Sequence, residues 1–127
     1  ELMYRDISHV SLCWNKEGVC YQEETAWAKG DPYGQNWAMY LQYEDDEGSK
    51  NPVEIYAGRN LLAGTATLEP YDDDAGKVKI SIALENGFIF YYDLNDDEED
   101  NNLKVQDYDS KPGPKDAAPG KFLYKTF

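Results

Sequence analysis

The sequence predicts an all-β protein, an antiparallel β-sandwich of about eight or nine short strands. Three observations carry this expectation. Short runs of alternating apolar and polar residues recur along the whole chain. Turn-forming Gly, Pro, Asn and Asp separate most of them. No window holds a helical period longer than two turns. A closed β-barrel is the alternative architecture. No repeat of about 20–50 residues is present, so a solenoid or propeller is not expected.

The elements follow in order. Val10, Leu12 and Trp14 alternate with Ser11 and Cys13. After a turn at Asn15 to Gly18, Val19, Tyr21, Thr25 and Trp27 share one parity. Lys29 to Asn36 carries Gly and Pro and is expected to be a loop. Trp37, Met39, Leu41 and Tyr43 then alternate with Ala38, Tyr40 and Gln42. Val53, Ile55 and Ala57 form another set, and Leu62, Gly64, Ala66 and Leu68 a weaker one. Lys77 to Leu84 is the clearest strand, with Val78, Ile80, Ile82 and Leu84 on one face and Lys79, Ser81 and Ala83 on the other. Asn86-Gly87 is a hairpin signal, since both residues tolerate positive φ, and Phe88 to Tyr92 is the expected returning strand, covered on both faces. Leu103 and Val105 suggest a short strand, residues 110–120 an irregular connection, and Lys121 to Phe127 a last strand.

The whole of residues 1–127 is expected to form one domain. Residues 1–11 have two readings: the first strand of this domain, or an extension that donates a strand to a neighbouring subunit.

The net charge is -13 and the pI near 4.3. This argues against nucleic acid as the natural partner, because phosphate binding needs clustered positive charge, and against docking on an anionic membrane. No run of apolar residues is long enough to span a bilayer as a helix. His9 is the single histidine, which excludes a histidine-based metal cluster and a two-histidine mechanism.

Cys13 and Cys20 bracket the first turn. A four-residue loop at Asn15 to Gly18 sets Trp14 opposite Val19 and Cys13 opposite Cys20. Opposed Cα atoms lie about 4.5–5.5 Å apart in such a pair, inside the disulfide range of about 4.4–6.8 Å. A Cys13–Cys20 disulfide, an oxidising compartment and a secreted or cell-surface location are the expectations. The chain opens on Glu1 without an initiator Met, which fits a removed leader or a trimmed chain. The alternative is two reduced cysteines.

Acidic residues cluster in three expected turns, Glu44 to Glu47, Asp72 to Asp74 and Asp93 to Asp100, which together hold thirteen of the 25. Asp93, Asn95 and Asp97 have alternate spacing suited to calcium, and Asp100 completes a candidate set. Glu98 and Lys104 stand where an EF-hand needs Gly and Glu, so an EF-hand is not supported. Calcium is the candidate cofactor, and a solvated acidic face is the alternative.

Tyr, Trp and Phe make up 14% of the chain. Trp37 and Tyr40 are candidate carbohydrate-stacking residues, while Trp27 and Trp37 also fit the alternating core of a sandwich. No Gly-x-Ser-x-Gly elbow or phosphate loop occurs, and the acidic pairs lack the apolar neighbours that raise a catalytic carboxyl. The expectation is a non-enzymatic protein.

Glu24-Thr25-Ala26-Trp27-Ala28, Trp37, Ile55-Tyr56-Ala57-Gly58, Ala63-Gly64-Thr65, Val78 to Ile82, Gly87-Phe88 and Pro119-Gly120-Lys121-Phe122-Leu123-Tyr124 occur in that order. The set resembles a β-rich module that recurs in secreted bacterial and archaeal surface proteins. It covers roughly residues 24–124 and implies an extracellular, non-enzymatic building block without catalytic residues. The disulfide-compatible hairpin, the strand-rich ends and the aromatic content lead to the function expected, a structural subunit of a surface fibre, sheath or matrix, self-associating through strand edges. The alternative is a module that binds a surface glycan or another ligand.

Overall fold

The computed structural model describes residues 2–14, 22–44, 52–71, 76–90 and 102–126. It is all-β and antiparallel. The strands are β1 (Leu2–Trp14), β2 (Gln22–Ala28), β3 (Asp31–Pro32), β4 (Met39–Glu44), β5 (Val53–Ala57), β6 (Leu61–Pro70), β7 (Val78–Leu84), β8 (Phe88–Phe90), β9 (Leu103–Tyr108) and β10 (Tyr124–Thr126). Two 3-10 turns, Pro114–Asp116 and Pro119–Lys121, lie between the last two strands. The main sheet runs β10-β9-β1-β2-β5-β6-β7, with β4 and β8 also paired to β1 and β3 paired to β4.

The sheet curls so that its inner face encloses the main core. Ala26 and Ala28 of β2, Tyr43 of β4, Ile55 and Ala57 of β5, Ala63, Ala66 and Leu68 of β6, and Phe88 of β8 form that core. Each is nearly or wholly buried. Small alanines let the backbones approach, and the larger side chains fill the centre. A fully buried Ile or Leu contributes about 1.5–3 kcal/mol. Alternation sends Trp27 to the opposite face of β2, where a second cluster forms with Tyr33, Ala38 and Tyr40. Strand β4 likewise serves both clusters, which is why its polar-looking parity buries Tyr40.

The segment from 2 to 11 takes the first of its two readings: β1 is thirteen residues long, and its Leu2–Ser8 pair with β4 and β9 of the same chain. Three expectations change. The β1–β2 ladder sets Trp14 opposite Gln22 and Cys13 opposite Glu23, three positions beyond the register of a four-residue loop. The turn itself, and with it Cys20 and the disulfide, lies outside the described residues. The Asn86-Gly87 turn forms, with φ of 57° and 80° and Phe88 N–H donating to Glu85 O at 3.1 Å. Yet β8 does not return along β7. It pairs with β1, through Leu12↔Phe90, Cys13↔Ile89 and Trp14↔Phe88. Within β8 only Phe88 is buried, whereas Ile89 and Phe90 are exposed, so this strand is not covered on both faces. Lastly, Phe122 is buried while Leu123 and Tyr124 are exposed, because a 3-10 turn delays β10 to Tyr124.

Candidate functional site

The outer aromatic cluster draws on distant parts of the chain. Trp27 meets Tyr33 and Trp37 edge-to-face, each at 6.2 Å between centroids. Tyr33 meets Tyr40 at 5.3 Å and Tyr108 at 6.2 Å, again edge-to-face. Such pairs place a ring's positive edge on a negative face, each worth about 0.5–1.5 kcal/mol beyond area burial. The Tyr33 hydroxyl donates to the Tyr108 hydroxyl at 3.3 Å, and the latter donates to Asp116 O at 3.1 Å. Asp116 Oδ2 in turn accepts from Gly113 N–H at 2.7 Å. The loop from 29 to 38 and the connection from 109 to 118 are thereby fastened over the outer face of the sheet.

This arrangement revises the ligand platform expected at Trp37 and Tyr40. Tyr40 is 1% exposed and sits beneath Tyr33, so it offers no face to a sugar. Trp37 is half-buried against Trp27. Sequence parity misled at Tyr40 because Gln42 shares its side of the strand but lies further along, where it donates to Asp31 Oδ2 at 3.1 Å. Tyr108, which closes the cluster, was not anticipated. It is far from Tyr33 in sequence, and no local signal connects the two.

The candidate metal residues Asp93, Asn95, Asp97 and Asp100 lie outside the described residues. Among the described residues, no three His, Cys, Asp or Glu side chains converge as metal ligands do. No helix among them is long and apolar enough to cross a membrane.

Among the described residues, a gap stands open between the two ends of the curled sheet. β7 ends one side and β10 the other. Between them runs a groove of about 580 Å³ lined by Tyr71, Val78, Ile80, Val105, Asp107 and Tyr124. Tyr71 and Tyr124 are 49% and 54% exposed, so the groove has an apolar wall that reaches solvent. The alternating row of β7 stays half-buried at Val78, Ile80, Ile82 and Leu84. The sequence shows β7 plainly. It does not show that β7 is an edge among the described residues, because Asn86-Gly87 is ordinarily followed by a strand that seals it.

The β9–β10 side of the gap carries a local electrostatic cost. Lys104 stands directly opposite Lys125. Burial, and then the Lys125 charge, lower the Lys104 pKa from its ordinary value. Lys104 thus binds its proton less tightly when folded than when unfolded. Its charge opposes folding at neutral pH, and the opposition fades as pH rises through the interval below 10.5. Replacing Lys104 by Thr, a good strand former, is expected to add about 0.5 kcal/mol at pH 7 in 0.15 M salt, where distant charges are screened. The gain should shrink in melts run near pH 10.5. A lowered melting temperature at pH 7 would show that the lysine stem contributes more than its charge costs.

No family model, curated protein or solved structure matches this chain.

Proposed function

We propose that this chain is a non-enzymatic structural subunit of an extracellular fibre, sheath or matrix that associates through the edges of its sheet. The observation that supports this reading is the open groove between β7 and β10, where two strand ends of the sheet leave an apolar wall exposed. A strand edge carries unsatisfied N–H and C=O groups and serves as a template for another strand. Self-association is the partnership this chemistry favours. The residues from 2 to 11 pair within their own chain, so in this reading the edges, rather than a donated N-terminal strand, make the contact. The disulfide and an oxidising, extracellular setting belong to the same reading, as does calcium as counter-ion of the acidic runs.

The test is negative-stain electron microscopy and sedimentation of the purified, non-reduced protein, with millimolar calcium and with a chelator. Filaments, sheets or discrete oligomers are the expected result. Their loss on chelation would assign a cation to the acidic runs. Dispersed monomers under both conditions would end the assembly reading. Binding to a surface glycan, sensitive to Trp37→Ala, would then take its place.

A further inference from the structure

We infer that β7 is a self-complementary docking edge that pairs antiparallel with β7 of a second copy of this chain about a two-fold axis at Ser81. The inference rests on the strand-edge reading above and names the edge, the partner and the register.

The main-chain pattern comes first. Glu85 N–H donates to Ala63 O at 2.8 Å, and Lys77 O accepts from Tyr71 N–H at 3.0 Å. The odd-numbered residues of β7 therefore spend their main-chain groups on β6. Alternation turns the N–H and C=O of Val78, Ile80, Ile82 and Leu84 to the other side. Among the described residues no strand pairs with that side, because β8 leaves for β1. An edge this long and apolar, left open, is a site for pairing with another chain.

The register follows from satisfying those groups. With the axis at Ser81, Val78 faces the partner's Leu84 and Ile80 faces the partner's Ile82. These are the hydrogen-bonded positions, so every outward N–H and C=O from Val78 to Leu84 in both copies finds a partner. A two-residue slip in either direction leaves some of them unmatched. The side chains agree with this choice. The row Val78, Ile80, Ile82 and Leu84 continues as one apolar row beside the groove wall. On the exposed face, Ser81 meets the partner's Ser81, Lys79 meets the partner's Ala83, and Lys77 meets the partner's Glu85. One opposite-charge pair thus stands at each end of the ladder, the two related by the symmetry axis. Moving the axis toward the start of the strand would bring Lys79 onto the partner's Lys79, a like-charge contact that disfavours it.

The experiment is a charge swap read by sedimentation equilibrium of the full chain, with circular dichroism to verify folding. Lys77→Glu alone, or Glu85→Lys alone, creates like-charge contacts and is expected to raise the dimer dissociation constant about tenfold. The double exchange K77E/E85K is expected to restore it to within about twofold, since opposite charges face each other again. A second variant tests the axis directly. Ser81→Cys puts two thiols at a non-hydrogen-bonded pair with Cα atoms about 4.5 Å apart, within disulfide reach, and should yield a covalent dimer on mild oxidation. Ala83→Cys sets its thiols about 13 Å apart along the ladder and should not exceed the wild-type background. Single charge variants that leave the dissociation constant unchanged, or no extra covalent dimer from Ser81→Cys, overturn this inference. If the chain still associates in that case, the strand-edge reading survives with a different edge. A wild-type chain that stays monomeric at millimolar concentration overturns both.

Discussion

Trp27→Ala is expected to destabilise the protein by about 3–5 kcal/mol, as for other buried tryptophans. That is a large share of the roughly 5–15 kcal/mol typical of whole domains, about two fifths at the midpoints. Trp27 is 5% exposed and joins Tyr33 to Trp37. Its removal opens a cavity on the outer face and takes two edge-to-face contacts at once. The inner core should feel less of it, because Ala26 and Ala28 on the same strand face the other way. Amide exchange is therefore expected to rise first in the loop from 29 to 38 and the connection from 109 to 118, while the β5–β6–β7 seam keeps more of its protection. Urea denaturation gives the magnitude, and Trp27→Phe should recover a large part of it. A loss below about 1 kcal/mol would show that the cluster is not a second core. The aromatic face would then regain its candidacy as a ligand surface.

The contrast between the two clusters shows what the sequence makes legible. Local period is enough to find β7, expected at Lys77 to Leu84 and observed at Val78–Leu84. It also finds the positive-φ turn at Asn86-Gly87, because left-handed backbone selects for those residues. Pairing is another matter. The turn chemistry fixes how the chain reverses at Glu85 to Phe88, but not which strand receives it. The Asn86 side chain donates to Leu62 O at 2.8 Å, tying the turn to β6, and β8 continues to β1. The first hairpin fails in the same way: both strands are legible, but the three-residue difference in register is not. The aromatic cluster is the extreme case. Tyr33, Tyr40 and Tyr108 belong together only after β4 and β9 have both been placed beside β1. The candidate edge inherits this limit, since an edge is defined by the strand that does not arrive.

Gly64→Ala tests the seam on which that edge depends, and its expected cost is at least about 2–3 kcal/mol, in the range of severe backbone strain. Gly64 stands between Ile55 of β5 and Leu84 of β7, where the β5–β6 ladder shifts register. A Cβ there would lie 2.2 Å from Ala83 O and 2.9 Å from Leu84 Cα. Both are main-chain atoms, so no side-chain rotation relieves the clash. The backbone φ of 159° adds a conformation that L side chains rarely adopt. The neighbouring strand must move, and the strand that must move is β7. Gly120→Ala is the matched control, because nothing lies within 4 Å of its added Cβ, and its effect should stay within about 0.5 kcal/mol. Denaturant melts give the two magnitudes. Exchange at the Glu85 amide, which bonds to Ala63 O, reports whether the seam has opened. If Gly64→Ala melts with the wild type, β6 and β7 do not pair in this register. The odd-numbered residues of β7 would then not be the ones committed to β6. If it unfolds the seam selectively, any association made through β7 should be lost with it, while contacts made elsewhere on the chain should remain.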